Sequence, residues 1–190
     1  YVVENKNSAI IALIFVLTLV LLLVQFSTAG AVAHRNPLRL LRTMLAAYVT
    51  ALGTQSSAAT IPVTLDRTLR CGVRPSVAGF VVPLCATIHL SGSTMKIVAC
   101  ALAIITLGGL PVDAAAFCGF ILMLGITMVA APGVPGGAIM AAAGLLQSML
   151  GFDEVAVGLM IALYIAMDSF GTATNVTGDG AIAVIVDRIA

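Results

Sequence analysis

Residues 43–65 read TMLAAYVTALGTQSSAATIPVTL, and this stretch decides how the chain is arranged. Its length suits one membrane crossing at 1.5 Å per residue. Its middle, Gly53 to Thr60, is polar. Arg35, Arg39 and Arg42 precede it, and Arg67, Arg70 and Arg74 follow it. Clustered Arg marks the cytoplasmic side of a membrane protein. Both ends can lie on that side only if the chain turns back. Each arm is then about 10–12 residues, roughly 15–18 Å, enough to reach mid-membrane. Gln55-Ser56-Ser57 becomes the tip of a re-entrant helical hairpin over residues 43–66. Non-helical backbone at that depth must line a cavity or be buried in protein.

Composition agrees with a membrane setting. Hydrophobic residues make up 61% of the 190 residues and charged residues only 9%, against about 25% charge in soluble domains. This excludes a soluble globular enzyme, a disordered tail and a coiled coil. The net charge is +1 with no basic cluster able to track phosphates, so no nucleic-acid partner is expected. The expected fold class is an all-α polytopic membrane protein. Cys71, Cys85, Cys100 and Cys118 lie in apolar runs without metal or redox spacing and read as buried small hydrophobes. The first residue is Tyr1 and the last, Ala190, follows an apolar stretch, so the chain is expected to be part of a longer protein.

The remaining charges act as boundary markers: Glu4/Lys6, Asp66, Asp113, Asp153/Glu154 and Asp187/Arg188. Residues 10–28 form a nearly unbroken apolar run. They read as an ordinary spanning helix with no polar group that suggests chemistry, within a first segment over residues 1–34. Residues 35–190 read as one core. Within it, residues 77–108 leave the cytoplasm and carry His89-Leu-Ser-Gly-Ser93 and Lys96 mid-way. A helix broken near Ser91-Gly92 frees backbone carbonyls to face a cavity. Residues 114–152 hold Ala131-Pro-Gly-Val-Pro-Gly-Gly137, which forbids a continuous helix. Their acidic flanks place both ends outside, as a second hairpin from the opposite face. Two full spans joined by a tight loop are the alternative.

The last segment, residues 155–187, reads as one helix from Val155 to Val186. Asp168, Thr172, Asn175 and Asp179 stand at i, i+4, i+7 and i+11. At 100° per residue they project within about 40° of one another. Each ionised Asp costs at least about 2.5–3.5 kcal/mol in a membrane. A polar stripe of this kind points to a pathway or a binding site; a helix–helix polar contact is the plainer reading. Asn175-Val-Thr177 matches a glycosylation sequon that its depth makes idle. Two opposed hairpins and an interrupted helix make a site at the membrane midplane, the architecture of a secondary transporter. Helix amino ends attract a carboxylate, and carbonyl ends attract an ammonium or Na⁺. Asp168 suits a substrate amine. Thr172 and Asn175 suit its orientation. Asp179 with Asn175 offers hard oxygen ligands for Na⁺.

TQSSAATIPVT (54–64), VPLCATIHLSGST (82–94), PGVPGGAIM (132–140) and DSFGTATNVTGD (168–179) closely resemble the dicarboxylate/amino acid:cation symporter family, the prokaryotic glutamate-transporter homologues. The resemblance runs through nearly the whole chain. It implies the C-terminal half, a mobile transport domain in the plasma (inner) membrane. The scaffold helices that carry the family's trimer contacts would precede it. It implies no enzymatic activity, no cofactor beyond a co-transported cation (Na⁺ or H⁺), and an amino-acid substrate moved by alternating access. Position by position, it assigns Ser57 to the substrate carboxylate. Val134 and Gly137 become backbone contacts on a gate whose loop is one residue short. Ser93 stands where the family has a substrate-binding Thr. Asp168, Thr172 and Asn175 match the amine-binding and orienting positions, and Asn175 with Asp179 a sodium site.

The departures sharpen the reading. Acidic-substrate members carry an Arg before the Thr of the last helix; here it is Gly171. A second Arg is also missing, with Gln55 and Ser169 in its two places. A second carboxylate would stay unpaired, which is costly. The implied substrate is therefore a neutral amino acid, with Gly171 leaving room for its side chain. A dicarboxylate or acidic amino acid, or an uncoupled ion channel, are the alternatives. The family's Asn-Met-Asp-Gly-Thr reads His89-Leu90-Ser91-Gly92-Ser93, so its acidic cation ligand has become Ser91. Lys96 follows three residues on. It is a candidate tethered cation in place of one bound Na⁺, or a snorkelling side chain. His89 is a candidate member of the cation site able to confer proton sensitivity, or a structural histidine. An aspartyl-protease dyad needs its two carboxylates nearly touching, and Asp168 and Asp179 are three turns apart. A serine hydrolase on Ser57 has only His89 as base and no third partner.

Overall fold

The structure is a computed structural model that describes residues 2–109 and 111–190, with side chains from residue 11 onward. The boundary pair Glu4/Lys6 and Ile10 fall outside the described side chains. Among the described residues there are helices and connections and no strand. The helices are α1 (Val2–Ala33), α2 (Pro37–Thr54), α3 (Ser57–Arg70), α4 (Pro75–Ile88), α5 (Ser91–Leu107), α6 (Ala114–Met128), α7 (Gly137–Leu150), α8 (Glu154–Ala166) and α9 (Asp168–Ile189). By length and composition, Ile11–Ala33 and Pro75–Leu107 can each cross a membrane, and α8 with α9 can as one bent pair.

Local chemistry explains most of these ends. Asn36 Oδ1 accepts from the amides of Leu38 and Arg39, and Pro37 fills the first helical position of α2. The arms of the first hairpin therefore start at Pro37 and end at Arg70, beyond the expected residues 43–66. Arg39, Arg42, Arg67 and Arg70 lie on the arms rather than flanking them. Gln55 takes a left-handed conformation (φ 52°) and closes α2, and Ser56 caps α3 through the Ala59 amide. Asp113 and Asp153 cap α6 and α8.

Two breaks differ from the expectation for tertiary reasons. The interrupted helix breaks at His89-Leu90, two residues before Ser91-Gly92. The Asn175 side chain takes the Gly92 and Ser93 amides, so those residues become the first turn of α5. The segment read as one helix from Val155 to Val186 is two, bent by 61° at Met167. No Pro or Gly marks that bend. Groups from other helices hold the freed ends. Lys96 Nζ donates to the Tyr164 carbonyl, and the Gly136 amide donates to Asp168.

α9 runs through the middle, packed on α1, α2, α3, α4 and α5. Its run of small residues permits close approach. A Cβ on Gly180 would meet Met44 Cε at 2.6 Å, and one on Gly178 would meet Gln25 Oε1 at 2.7 Å. Around its C-terminal half lies one apolar core with Phe26, Met44 and Val184; a second, with Ile97, Phe120 and Leu146, joins α5 to the α6–α7 hairpin and α8. Three of the cysteines sit buried as expected, but Cys118 is exposed on α6. Val16 and Val24 on α1, with Leu122 and Ile126 on α6, also face outward. Such apolar faces suit lipid or a partner subunit. At one end Arg35 holds the Cys71 and Gly72 carbonyls, and Arg74 pairs with Asp187 at 2.7 Å.

Packing is also tight at the start of α5. A Cβ on Gly92 would lie 2.6 Å from Thr174 Cβ and 2.7 Å from the Gly171 carbonyl. Gly92→Ala is expected to destabilise the full-length protein by about 1–3 kcal/mol through overpacking. Thermal unfolding in detergent checks this, with a downward shift in Tm as the expected outcome.

Candidate functional site

Four helix amino ends meet at one place. The first turns of α3, α5, α7 and α9 contribute Ser57, Ser93, Ala138 and Asp168 to a single small cavity. Gln55, Leu90, Pro132, Gly133, Val134, Tyr164, Thr172 and Asn175 complete its wall. Helix amino ends carry partial positive charge, so this wall favours an anion such as a carboxylate, and several of its amides already hold an oxygen, Gly92 and Ser93 that of Asn175 and Gly136 that of Asp168. The opposite sign comes from Asp168, 3% exposed, and from the carbonyl end of α8 at Tyr164.

The two hairpin tips close over the cavity. Ser56 Oγ donates to the Gly133 carbonyl at 2.9 Å, and the Ala58 amide donates to the same oxygen at 3.3 Å. A Cβ on Gly133 would sit 2.4 Å from the Ala86 carbonyl, so only Gly fits where the second tip crosses α4. Gly137 is equally tight: its Cβ would meet the Pro132 carbonyl at 2.2 Å. Gly136, left-handed at φ 72°, turns its amide onto Asp168 Oδ2 at 2.7 Å. The gate loop is thereby tied to the carboxylate expected to bind the amine.

The other predicted residues divide into two groups. Asp168, Thr172 and Asn175 share the cavity with Ser57, Ser93 and Val134, and Val134 is half-exposed at the tip. Thr172 Oγ1 reaches the Gln55 carbonyl at 3.5 Å, the limit of a hydrogen bond. Asn175 is spent on α5: its Oδ1 accepts from Gly92 and its Nδ2 donates to Ser93 Oγ at 2.9 Å. Asp179 stands apart, 1% exposed, with His89 Nδ1 at 2.8 Å from its Oδ1. Asn175 and Asp179 are thus each engaged by a different part of the interrupted helix. Lys96 is 1% exposed and does not snorkel; its Nζ lies 3.4 Å from Asp168 Oδ1. Gly171 lies beside it, and a Cβ there would come within 3.2 Å of Nζ. The room at Gly171 is therefore taken by the lysine head group.

Two residues escaped the sequence reading. Gln25 lies in the run taken as chemically plain, yet its Nε2 reaches His89 Nε2 at 3.3 Å and Ser91 Oγ at 3.2 Å. Its Oε1 is buried without a partner. The signal was a lone amide in an apolar helix. Tyr164, 1% exposed, lays its ring under the Lys96 ammonium, 3.5 Å from Nζ to centroid. An aromatic residue one turn before a membrane Asp gave only a faint signal. Among the described residues, no three His, Cys, Asp or Glu side chains gather as metal ligands.

The comparisons with known proteins follow the same outline. Residues 7–189 match the sodium:dicarboxylate symporter family. The chain is 32% identical over 190 residues to "Serine/threonine transporter SstT" of Acinetobacter baumannii (strain AYE), covering 97% of this chain and 47% of that protein. It is 30% identical over 191 residues to the protein of that name from Acinetobacter baylyi, with the same coverages of 97% and 47%. It is 29% identical over 163 residues to "Excitatory amino acid transporter 4" of Mus musculus, covering 83% of this chain and 28% of that protein. The chain belongs to the sodium:dicarboxylate symporter family and is a membrane protein. It spans about half the length of the first relatives it matches.

Asn175→Ala removes the acceptor for two amides and the donor to Ser93. It is expected to cost about 1–3 kcal/mol by leaving buried groups unpaired. It should also weaken substrate binding more than Asn175→Asp, which keeps the acceptor. Thermal unfolding and equilibrium binding on the full-length protein measure both.

Proposed function

We propose that the full-length protein is a cation-coupled symporter that moves a neutral amino acid across the membrane by alternating access. Residues 35–190 form the moving core. The observation that supports this is the cavity between the hairpin tips, with amino ends of four helices on one side and Asp168 beside them. A zwitterion matches that arrangement: its carboxylate faces Ser57 and the helix amino ends, and its ammonium faces Asp168. Val134 and Gly137 belong to the gate, and Thr172, Asn175 and Ser93 orient the substrate.

Lys96 bears on the choice between neutral and acidic substrates. Its ammonium lies beside Gly171, where a cation for a second carboxylate would be wanted. That charge is already matched by Asp168 at 3.4 Å. The same ammonium is also seated on the Tyr164 carbonyl and ring, so it stays engaged when a substrate ammonium takes Asp168, and a further carboxylate would be desolvated at high cost. The relatives named serine/threonine transporters support the same choice. Na⁺ is the proposed coupled ion, held by Asp179 with Asn175 and with His89 close by. Assembly as a homotrimer in lipid, through the part of the protein outside this chain, belongs to the same proposal.

The test is uptake of labelled serine into vesicles holding the purified full-length protein. Accumulation is expected under an inward Na⁺ gradient and should vanish without it. Alanine and threonine should compete and aspartate should not. Full competition by aspartate would reject the neutral substrate, and ion current without serine accumulation would reject symport.

A further inference from the structure

The Lys96 ammonium is the most completely enclosed charge near the cavity, and the substrate contacts proposed above do not use it. α5 carries it into the domain, where three groups hold it. Nζ lies 3.3 Å from the Tyr164 carbonyl, 3.5 Å from the Tyr164 ring centroid and 3.4 Å from Asp168 Oδ1. The first two belong to the last turn of α8, just before the bend at Met167. Carbonyls at a helix end and the face of an aromatic ring both favour a cation. Lys96 therefore has a seat of its own on Tyr164, from which it also reaches Asp168. Gly171 makes the fit possible, since a Cβ there would lie 3.2 Å from Nζ and 3.4 Å from Cε.

Asp168 has its two oxygens on different partners, Oδ1 on Lys96 and Oδ2 on the Gly136 amide of the gate loop. An unpaired carboxylate at this depth is strongly disfavoured. A carrier must move its binding domain both loaded and empty. When loaded, the substrate ammonium neutralises Asp168. When empty, something else must. We propose that Lys96 is the built-in counter-ion of Asp168 for the empty domain. It pairs with the carboxylate when no substrate is present, so that the closed domain returns without a bare buried charge. It withdraws onto Tyr164 when a substrate ammonium arrives. The inference rests on the reading of the protein as an amino-acid symporter. Lys96 and the substrate ammonium then compete for one carboxylate, so the lysine weakens binding while it speeds return.

These two effects have opposite signs when the charge is removed, which separates them from mere loss of structure. The experiment uses the full-length protein in vesicles at neutral pH, with radiolabelled serine. It measures equilibrium binding, exchange of external label for internal unlabelled serine, and net uptake into vesicles without internal serine. Lys96→Met is expected to bind serine about tenfold more tightly, because a competing closed state is removed. The ratio of net uptake to exchange should fall by about tenfold or more, the effect of a slower empty return. Lys96→Arg keeps the charge and should hold the ratio near the wild-type value. Lys96→Gln puts a neutral polar amide in place of the charge and replaces the Met variant where that one does not fold. A wild-type ratio in the neutral variants, or weaker serine binding in a folded neutral variant, overturns the proposal. A wild-type protein without serine binding, exchange or uptake overturns the symporter reading instead.

Discussion

The backbone groups freed where helices break inside a membrane have no water to turn to, and the whole site follows from how this chain pairs them. Three of the breaks are closed by a side chain from another helix. Asn175 takes the amides at the start of α5. Lys96 takes the Tyr164 carbonyl at the end of α8, and Asp168 takes the Gly136 amide at the start of α7. The first tip hangs on the Gly133 carbonyl through Ser56. An unpaired buried group costs about 1–3 kcal/mol in proteins generally, and more where no water can relieve it. The residues that close the breaks thus both hold the structure and line the cavity or lie beside it. On the proposed function, a substrate or ion entering the cavity has to exchange with contacts that hold the helices in place.

This sharing ties the gate to the charge balance. Asp168 faces the gate loop with one oxygen and Lys96 with the other, so a ligand that engages Asp168 acts on both. Further along α9, Asp179 meets His89, with Gln25 bringing in α1. The two buried carboxylates of α9 each have a nitrogen partner from the α4–α5 segment. Small residues at 92, 171 and 178 let these partners come close enough. A Cβ at any of them would press on a neighbour within 3.2 Å.

Much of this was legible beforehand. The Arg clusters around residues 43–65 and the Pro/Gly run at 131–137 indicated chain reversals, because charge and proline act locally and need no partner to be read. The stripe Asp168, Thr172, Asn175 and Asp179 followed from helical periodicity and lies on one helix, buried throughout. What failed was of another kind. The bend at Met167 has no Pro or Gly beside it. The shift of the α5 start to Ser91 depends on an amide 84 positions away from it in the chain, at Asn175. Gln25 looked plain because its partners, His89 and Ser91, lie on other helices.

By itself the sequence determined the membrane class, the helical content, the two reversals and which polar side chains share one face of the last helix. These follow from hydropathy, charge sign and periodicity, each a property of a short window. Only the tertiary structure decided who pairs with whom. It placed Lys96 on Asp168 rather than at the membrane surface, gave the space beside Gly171 to that lysine, and gave Asn175 and Asp179 each its own partner. The reason is physical: a buried charge has no preferred neighbour until the chain is folded. The nearest group of opposite sign is then set by packing, not by spacing along the chain.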